Sequence, residues 1–376
     1  MRLYDTARGE IVPFTPGPVV TMYTCGITPY DATHIGHAAT YLTYDVLQRR
    51  LRDRGHETRC VRNVTDVDDD ILRKAREIGV HYLDLAAAET ARFDDDMRAL
   101  DMLPSWSEPR ATSAIADIRG FIGMVLDRGH AYQAGGAVYF DVSRFDRFGQ
   151  VSHLGRDEML ALAADRGGNV DDPHKHDPLD FVLWQPSAKD EPSWESLWGP
   201  GRPGWHIECS ALAMRELGTT IDLHGGGADL IFPHHECEAA QSEAATGEPF
   251  VRHWLHQAMV RMDGEKMSKS LGNLVFVSEL RKRWDPRAIR LAVLAHHYRH
   301  GWDWHDEVMA DAAARLARWQ AVGGGDGDAA LEDARAALDD DLDTPSALAA
   351  IDEAATAGKD VSQAAALVGV DLGGPL

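Results

Sequence analysis

A short stretch near the start of the chain restricts the fold more than any other feature, because it joins a buried strand to a helix through a turn of small residues. Residues 18–24 form an apolar, β-branched run that is typical of a strand buried on both faces. Residues 25–37 read CGITPYDATHIGH, and residues 38–51 carry apolar side chains on one face of a helix. Free N–H groups and the helix dipole favour an anion at such a helix N-terminus. The stretch therefore predicts a phosphate-binding unit of an α/β fold.

Two imidazoles lie where this helix begins, at His34 and His37. A spacing of three residues puts both rings on one face of the first helical turn. Both rings are therefore candidates for phosphate contacts. The alternative is a helix that merely begins with two histidines, and the stretch by itself does not decide between the two interpretations.

The elements that follow extend this unit into a parallel sheet. Residues 57–65 read as a second strand, and the acidic run 66–70 starts a helix over 71–78. Carboxylates in a first helical turn are the common reason for such a run, and a site for a hard metal ion is the alternative. Strand, helix, strand and helix in this order predict a doubly wound, Rossmann-like α/β core.

The alternation is then interrupted. Two long helical patterns, a β-rich piece at 137–142 and a polar tract at 165–173 come before it resumes at 204–209. A strand over 220–223 is expected to lead into residues 225–229 (GGGAD), and the end of the chain reads as α-helical. We expect four segments: the first half of the core at 1–80, an inserted α/β connective segment at 81–200, the second half of the core at 201–304, and a C-terminal α-helical domain at 305–376.

Composition limits the partners and the compartment. The 376 residues carry a formal net charge of −22, which repels nucleic acid in general, although a local basic groove could still exist. Four cysteines in so long a chain form no disulfide framework, which fits a reducing compartment. The N-terminus lacks an apolar signal core, and no apolar run is long enough to span a membrane. We expect a cytoplasmic protein without a membrane partner.

Four residues that are far apart in the sequence form a candidate metal site. Cys25 ends the first strand, and Cys209 is expected at a later strand–helix junction. His234 and Glu238 are four residues apart on one predicted helix. The carboxyl ends of parallel strands meet in one crevice, where two thiolates, an imidazole and a carboxylate would suit Zn²⁺. The alternative is that the cysteines are small core hydrophobes, as we expect of Cys60.

A second candidate for phosphate chemistry lies late in the chain. Residues 264–270 read GEKMSKS and contain Lys266 and Lys269. Lysines in a loop can stabilise the charge that builds up on a leaving pyrophosphate. A solvent-exposed loop without function is the alternative that this composition alone would favour.

The two motifs together resemble a known family. HIGH after the first strand and KMSKS after the last are the paired signature of class I aminoacyl-tRNA synthetases and their nucleotidyl-transferring relatives. Residues 63–69 (NVTDVDD), 201–210 (GRPGWHIECS) and 224–236 (HGGGADLIFPHHE) resemble the cysteine-activating branch of that family. This branch includes cysteinyl-tRNA synthetase and mycothiol ligase, and the resemblance extends over residues 15–350.

Finer features distinguish the two members of this branch. Residues 26–33 (GITPYDAT) and 37–43 (HAATYLT) are similar to the mycothiol ligase form, and residues 165–168 (DRGG) resemble its ERGGDP signature, although Asn-Val follows here. The short helical tail stands where a tRNA enzyme would continue into an anticodon-reading domain. Glu238 argues the other way, because it resembles the fourth zinc ligand of the tRNA enzyme.

The resemblance implies an ATP-dependent, AMP-forming ligase that activates L-cysteine as cysteinyl-adenylate. It would transfer the cysteinyl group to a small amine, glucosaminyl-inositol in mycothiol biosynthesis. A cysteinyl-tRNA synthetase without a full anticodon-binding domain stays open, as does a paralogue that forms another cysteine amide in a secondary-metabolite pathway. We expect one Zn²⁺ per chain, ATP with Mg²⁺ as substrate, no tRNA partner and a monomer.

The resemblance also implies roles for individual residues. The catalytic residues would be His34, His37, Lys266 and Lys269. The metal ligands would be Cys25, Cys209, His234 and Glu238. The residues that bind ATP and cysteinyl-adenylate would be Cys25, Gly26, Ile27, Thr28, Gly36, Thr40, Asn63, Val64, Thr65, Trp205, Gly227, Ala228, Asp229, Val260 and Met267.

Overall fold

The computed structural model describes residues 1–30, 33–267, 271–322 and 327–373. The strands in chain order are β1 (Arg2–Asp5), β2 (Glu10–Pro13), β3 (Val19–Ile27), β4 (Glu57–Val64), β5 (Ala131–Ala134), β6 (Ala137–Phe140), β7 (Phe181–Gln185), β8 (Arg202–Pro203), β9 (Leu223–Gly227), β10 (Trp254–Gln257), β11 (Val260–Met262), β12 (Glu265–Lys266) and β13 (Trp302–Asp303).

The α-helices in chain order are α1 (Ile35–Asp53), α2 (Asp69–Ile78), α3 (Tyr82–Ala99), α4 (Ile115–Asp127), α5 (Arg156–Asp165), α6 (Trp205–Leu217), α7 (Glu236–Thr246), α8 (Val277–Leu280), α9 (Pro286–Leu294), α10 (Glu307–Gln320), α11 (Asp328–Asp339), α12 (Thr344–Thr356) and α13 (Ser362–Leu367). A π-helical turn at Ile231–His235 leads directly into α7. Within the described residues, no helix is both long and apolar enough to cross a membrane.

A four-stranded parallel sheet forms the centre of the fold, in the order β10-β9-β3-β4. β3 and β9 have a partner on both sides, and β3 is largely buried. α1 connects β3 to β4, and α2 follows β4, as the predicted alternation requires. The acidic run is the start of α2, because Asp68 caps that helix through the backbone N–H of Ile71. The predicted doubly wound α/β class is confirmed.

The predicted strand over residues 220–223 is wrong in its position. The strand is β9, which begins at Leu223 and contains the three glycines that were expected to follow the strand. A Cβ atom on Gly225 would lie 1.9 Å from the backbone oxygen of Leu255 and 2.1 Å from the hydroxyl oxygen of Tyr44. Only glycine fits where the strands and α1 approach so closely, so the glycines here serve packing within a strand.

The predicted position of Cys209 at a strand–helix junction is also wrong. Cys209 lies inside α6, and the short strand before this helix, β8, pairs antiparallel with β7 outside the parallel sheet. Gly204 is the N-cap residue of α6, and a glycine fits there because a Cβ atom would lie 2.0 Å from the backbone oxygen of Val182. Cys209 therefore reaches the sheet from a helix that packs against β3.

A second sheet of four antiparallel strands has the order β5-β6-β7-β8. Together with α5 and the connecting loops it makes up residues 131–203, which we call the antiparallel segment. The polar tract that the sequence placed at 165–173 lies in this segment, directly after α5. Its strands pack their apolar faces into a buried core that includes Phe140, Phe181 and Ile207 of α6. The antiparallel segment is thus fixed to the helix that carries Cys209.

A buried ion pair joins the C-terminal helices to the parallel core. The Arg290 guanidinium of α9 is fully buried and donates hydrogen bonds to the carboxylate of Asp45 on α1, to the carbonyl of Leu100 at 3.0 Å and to the carbonyl of Val368 at 2.7 Å. Burial favours the neutral form of Asp45, but Arg290 and Arg49 outweigh it and hold the pKa of Asp45 below its usual value. The Arg290 guanidinium therefore connects α9 to three other parts of the chain.

The substitution Arg290→Met is expected to lower the free energy of unfolding by about 3 kcal/mol, because it leaves a buried carboxylate with only part of its compensation. The matched control Arg98→Met removes the exposed pair with Asp95 and should cost less than about 1 kcal/mol. Urea unfolding at neutral pH measures both values. Because the folded pKa of Asp45 is lowered, its contribution is present above its unfolded pKa and is lost as the pH falls through the folded value, so the difference should shrink in acid. A cost for Arg290→Met no larger than that of the control would contradict the assignment.

Candidate functional site

A cavity of about 920 Å³ opens at the carboxyl ends of the parallel strands. The start of α1, the loop between β4 and α2, the start of α6 and the antiparallel segment form its walls. Of the residues predicted to bind ATP or the adenylate, it is lined by Gly26, Ile27, Thr28, Trp205, Asp229 and Met267. His34 and His37 line it as well. The predicted crevice therefore brings together residues from both halves of the core.

His34 and His37 share one side of the first turn of α1, as their spacing predicts. Their rings are stacked with centroids 3.8 Å apart. His34 caps the helix, because its Nδ1 accepts the backbone N–H of Gly36 at 3.1 Å. A Cβ atom on Gly36 would lie 2.9 Å from the His34 ring, so glycine permits the cap. Since Nδ1 accepts, a neutral His34 carries its proton on Nε2 and can donate it to an oxygen.

The ends of β3 and β4 are held together behind the cavity wall. The N–H of Gly26 donates to Oδ1 of Asn63 at 2.8 Å, and Nδ2 of Asn63 donates to the hydroxyl of Thr65 at 3.0 Å. A Cβ atom on Gly26 would lie 1.5 Å from the backbone oxygen of Asn63. Asn63, Val64 and Thr65 are buried and are not among the described residues that line the cavity, so they support the wall instead of forming it.

A second predicted group lies where β9 ends. The hydroxyl of Thr40 donates to the carbonyl of Gly36 at 3.2 Å. A Cβ atom on Gly227 would lie 2.6 Å from Oδ1 of Asp229 and 3.8 Å from the hydroxyl oxygen of Thr40. The structure therefore brings Thr40, Gly227 and Asp229 together, with Ala228 between the last two in the chain.

The late motif is described only in part. Val260 is a buried residue of β11 that pairs with Trp302 and does not line the described wall of the cavity, whereas Met267 does. For Lys266 the structure describes the backbone, which lies in β12. Lys269 lies outside the described residues.

The four predicted metal ligands meet in one buried cluster. The Sγ atoms of Cys25 and Cys209 are 3.9 Å apart, and Oε1 of Glu238 lies 3.4 Å from Sγ of Cys25. Nε2 of His234 lies 3.1 Å from the same oxygen. All four donor atoms lie within 4.8 Å of one another. Two sulfur ligands of one tetrahedral Zn²⁺ would be about 3.8 Å apart at the usual bond length, which agrees with the observed separation.

The chemistry of the cluster also fits a cation. Burial, followed by the proximity of Cys209, raises the pKa of the Cys25 thiol well above its usual value. Burial lowers the pKa of His234, which keeps its imidazole neutral. Nε2 of His234 lies close to Oε1 of Glu238 but makes no hydrogen bond with it or with any other atom in the part of the chain that the structure describes. A divalent ion would replace the thiol protons and occupy this lone pair, which is how cysteine and histidine ligands bind zinc.

A second overlapping set of donors was missed by the sequence analysis. It consists of Cys25, His224, His235 and Glu238, with Nε2 of His224 at 3.0 Å from Oε2 of Glu238 and Nε2 of His235 at 3.3 Å from Sγ of Cys25. The other nitrogen of His235 contacts Nε2 of His256 at 2.7 Å. Both histidines lie in the stretch 224–236 that was already singled out. The sequence spacing in this stretch could not show which imidazole rings face the cluster, because the π-helical turn at Ile231–His235 departs from the α-helical period.

The polar tract after α5 closes the site from the side of the antiparallel segment. The guanidinium of Arg166 donates to the backbone carbonyls of Asp229 and Phe232. Both acceptors lie between β9 and α7, next to the residues that hold the cluster. One side chain thus fixes the antiparallel segment to the loop at the cavity. The sequence indicated this tract only through a resemblance, since no local pattern reveals a contact 63 residues away.

The Trp205 side chain connects the cluster to the cavity. Its ring lines the cavity and stacks on the imidazole of His234, with centroids 4.1 Å apart. Gly26, which also lines the cavity, follows Cys25 directly. The cluster therefore lies directly behind a wall that a ligand in the cavity would contact.

Solved structures with the same architecture are synthetases. The Mycobacterium tuberculosis methionyl-tRNA synthetase in complex with methionyl-adenylate superimposes with a TM-score of 0.69 over 90% of this chain and 82% of that chain, at 17% sequence identity. At this identity the similarity establishes the fold alone. It confirms the predicted class I synthetase architecture.

Sequence comparison identifies the family. Residues 12–314 match the profile of the tRNA synthetases class I (C) catalytic domain. A protein of Streptosporangium roseum named L-cysteine:1D-myo-inositol 2-amino-2-deoxy-alpha-D-glucopyranoside ligase is 50% identical over 94% of this chain and 88% of its own length. A protein of the same name from Saccharomonospora viridis is 51% identical over 94% of this chain and 87% of its own length. The chain belongs to the class I (C) synthetase catalytic-domain family and, within it, to the family of these cysteine ligases.

Proposed function

We propose that this chain activates L-cysteine with ATP as cysteinyl-adenylate and transfers the cysteinyl group to the amine of glucosaminyl-inositol, in mycothiol biosynthesis. The observation that carries this proposal is the position of the cluster of Cys25, Cys209, His234 and Glu238 directly behind the wall of a cavity that His34 and His37 also line. A thiol and a nucleoside triphosphate can therefore be bound in the same cavity. Family membership supports the same activity.

In the first step the cysteine carboxylate attacks the α-phosphorus of ATP and pyrophosphate leaves. His34 and His37 contact the phosphates at the N-terminus of α1, where the free N–H groups and the helix dipole also favour negative charge. Lys266 and Lys269 stabilise the charge that develops on the leaving pyrophosphate, and Mg²⁺ accompanies the nucleotide.

The adenylate is held by two groups of residues. Thr40, Gly227 and Asp229 lie together where β9 ends and hold the nucleotide side, with Ala228 between the last two in the chain. We assign Met267 and the backbone at Val260 to the same adenylate. The backbone at Gly26 and Thr28 faces the cysteinyl side, supported from behind by Asn63 and Thr65.

One Zn²⁺ per chain would be held by Cys25, Cys209, His234 and Glu238. When bound, it would take the substrate thiolate as a ligand and so distinguish cysteine from serine, whose hydroxyl is a poorer ligand. Trp205, which stacks on His234 and lines the cavity, would form a wall of the amino acid pocket beside this cluster.

In the second step the amine attacks the carbonyl of the mixed anhydride. An amide bond forms, AMP leaves and the nitrogen loses a proton. A net charge of −22 disfavours a polyanionic acceptor such as tRNA and favours a small amine. We place this reaction in the cytoplasm and assign it to a monomer.

The metal assignment predicts the zinc content of single variants. Cys209→Ser should lower bound zinc from one ion per chain to less than about 0.2, because it removes a thiolate that belongs only to the first donor set. His224→Gln should retain the ion, since this residue belongs only to the second set. Plasma mass spectrometry of the purified proteins measures both, and Cys60→Ser, a buried thiol outside the cluster, is the matched control. Loss of zinc in His224→Gln with retention in Cys209→Ser would place the ion in the second set.

The activity is tested by pyrophosphate exchange and product analysis. Exchange between ATP and labelled pyrophosphate should require cysteine, and His37→Ala should lower its rate about 10²- to 10³-fold, as expected for the loss of one positioned group at a developing charge. His305→Ala, at an exposed histidine, should leave the rate unchanged. Mass spectrometry should detect the cysteine amide after glucosaminyl-inositol is added. Charging of cysteine onto tRNA, with no amide, would instead identify a cysteinyl-tRNA synthetase.

A further inference from the structure

We propose that the acceptor binds against the antiparallel segment, and that Lys175 and Asp172 determine specificity there by binding the hydroxyl groups of a polyhydroxylated amine. The inference rests on the function proposed above and adds the part of the site that this function leaves unassigned. No residue of the antiparallel segment was assigned a role by the sequence motifs.

The cavity extends beyond the groups that activate cysteine. One continuous space of about 920 Å³ reaches from His34 and Asp229 to Tyr139, Asn169, Asp172 and Lys175 of the antiparallel segment. Ligand pockets generally have volumes of about 300–1,000 Å³, so this one is at the upper end of the range. A second ligand can therefore lie beside an adenylate without a rearrangement of the walls.

The Lys175 side chain can donate hydrogen bonds to a ligand. It is half-buried in the cavity wall, and its ammonium group has no hydrogen bond and no ion pair with any residue that the structure describes. Burial lowers the pKa of Lys175. A partly desolvated donor without a partner is unfavourable until a ligand supplies an oxygen atom. Sugar and inositol hydroxyls supply such oxygens.

Asp172 offers the complementary acceptor next to this donor. The hydroxyl of Tyr139 donates to its Oδ2 at 2.8 Å, and the backbone N–H of His174 donates to its Oδ1 at 3.0 Å. The His174 N–H and the Tyr139 hydroxyl hold the pKa of Asp172 below its usual value, so it stays ionised. A carboxylate accepts about four hydrogen bonds, which leaves capacity for hydroxyl groups of a ligand.

The surroundings favour a cationic acceptor held in a fixed position. Asp68, Asp69 and Asp70 line the same cavity; Asp69 pairs with Arg202 and Asp70 with Arg73, and the Asp68 carboxylate adds negative charge that attracts an ammonium ion. The Arg166 contacts with the carbonyls of Asp229 and Phe232 fix the segment that carries Lys175 relative to the nucleotide side of the site. Both features suit an amino sugar better than a nucleic acid.

The test compares acceptor kinetics in Lys175→Met and Asp172→Asn with those of the wild-type enzyme. Each variant should raise the KM for glucosaminyl-inositol about tenfold or more, because a hydrogen bond between a charged group and a substrate hydroxyl is lost. This increase should exceed any change in the KM for cysteine in pyrophosphate exchange. Lys175→Arg keeps a cationic hydrogen-bond donor, so its KM for glucosaminyl-inositol should lie between those of the wild-type enzyme and Lys175→Met. With cyclohexylamine, an amine without hydroxyl groups, each substitution should lower the rate of amide formation less than it does with glucosaminyl-inositol.

Matched controls lie in the same segment. Lys189→Met and Asp171→Asn change exposed residues outside the cavity and should leave both KM values unchanged. An unchanged acceptor KM in Lys175→Met and Asp172→Asn would overturn the proposal. So would a parallel increase in both KM values, or an equal loss with both amines, since these results indicate a structural role. A wild-type enzyme that performs cysteine-dependent exchange but forms no amide with glucosaminyl-inositol would refute the proposed acceptor itself, and this subsite with it.

Discussion

Close backbone contact at the carboxyl ends of the parallel strands determines where every group of the site lies. A Cβ atom on Gly26 or Gly225 would overlap the backbone of the neighbouring strand, so these strands approach as closely as they do only because both residues are glycines. The register between β3 and β9 pairs Tyr23 with His224 and Thr24 with Gly225, which brings Cys25 to the carboxyl end of β9. The position of Cys25 within the cluster of candidate metal ligands is thus a consequence of strand register.

The cluster depends on the completed fold as much as it contributes to it. Its donors come from β3, from α6 and from both sides of the junction between the π-helical turn and α7. No two of these elements except the last pair are adjacent in the sequence, so the donor set exists only in the folded chain. A bound ion would therefore stabilise the folded state over the unfolded state. Because the His234 ring also stacks on Trp205, the same ion would restrain a wall of the cavity.

Local patterns predicted the parts of the molecule that local physics determines. The apolar run before Cys25, the spacing of His34 and His37, and the start of α2 at an acidic run all follow from period, capping and dipole effects. Tertiary packing determined what the sequence placed wrongly or missed. Gly225 packs closely against Tyr44 and Leu255 within a strand, and the inward orientation of His235 arises in a π-helical turn. Neither contact leaves a mark on neighbouring residues in the sequence.

The parallel and the antiparallel sheet contribute different walls of the cavity. The parallel sheet and α1 carry residues to which we assign the activation of cysteine, whereas another wall of the cavity belongs to the antiparallel segment. Arg166 joins the two through the backbone carbonyls of Asp229 and Phe232, and a backbone carbonyl is present whatever side chain the residue carries. Side chains of the antiparallel segment can therefore be substituted without altering the residues that we propose to form the adenylate. An arrangement of this kind lets one activating core serve acceptors of different chemistry, with the choice made at positions such as Asp172 and Lys175.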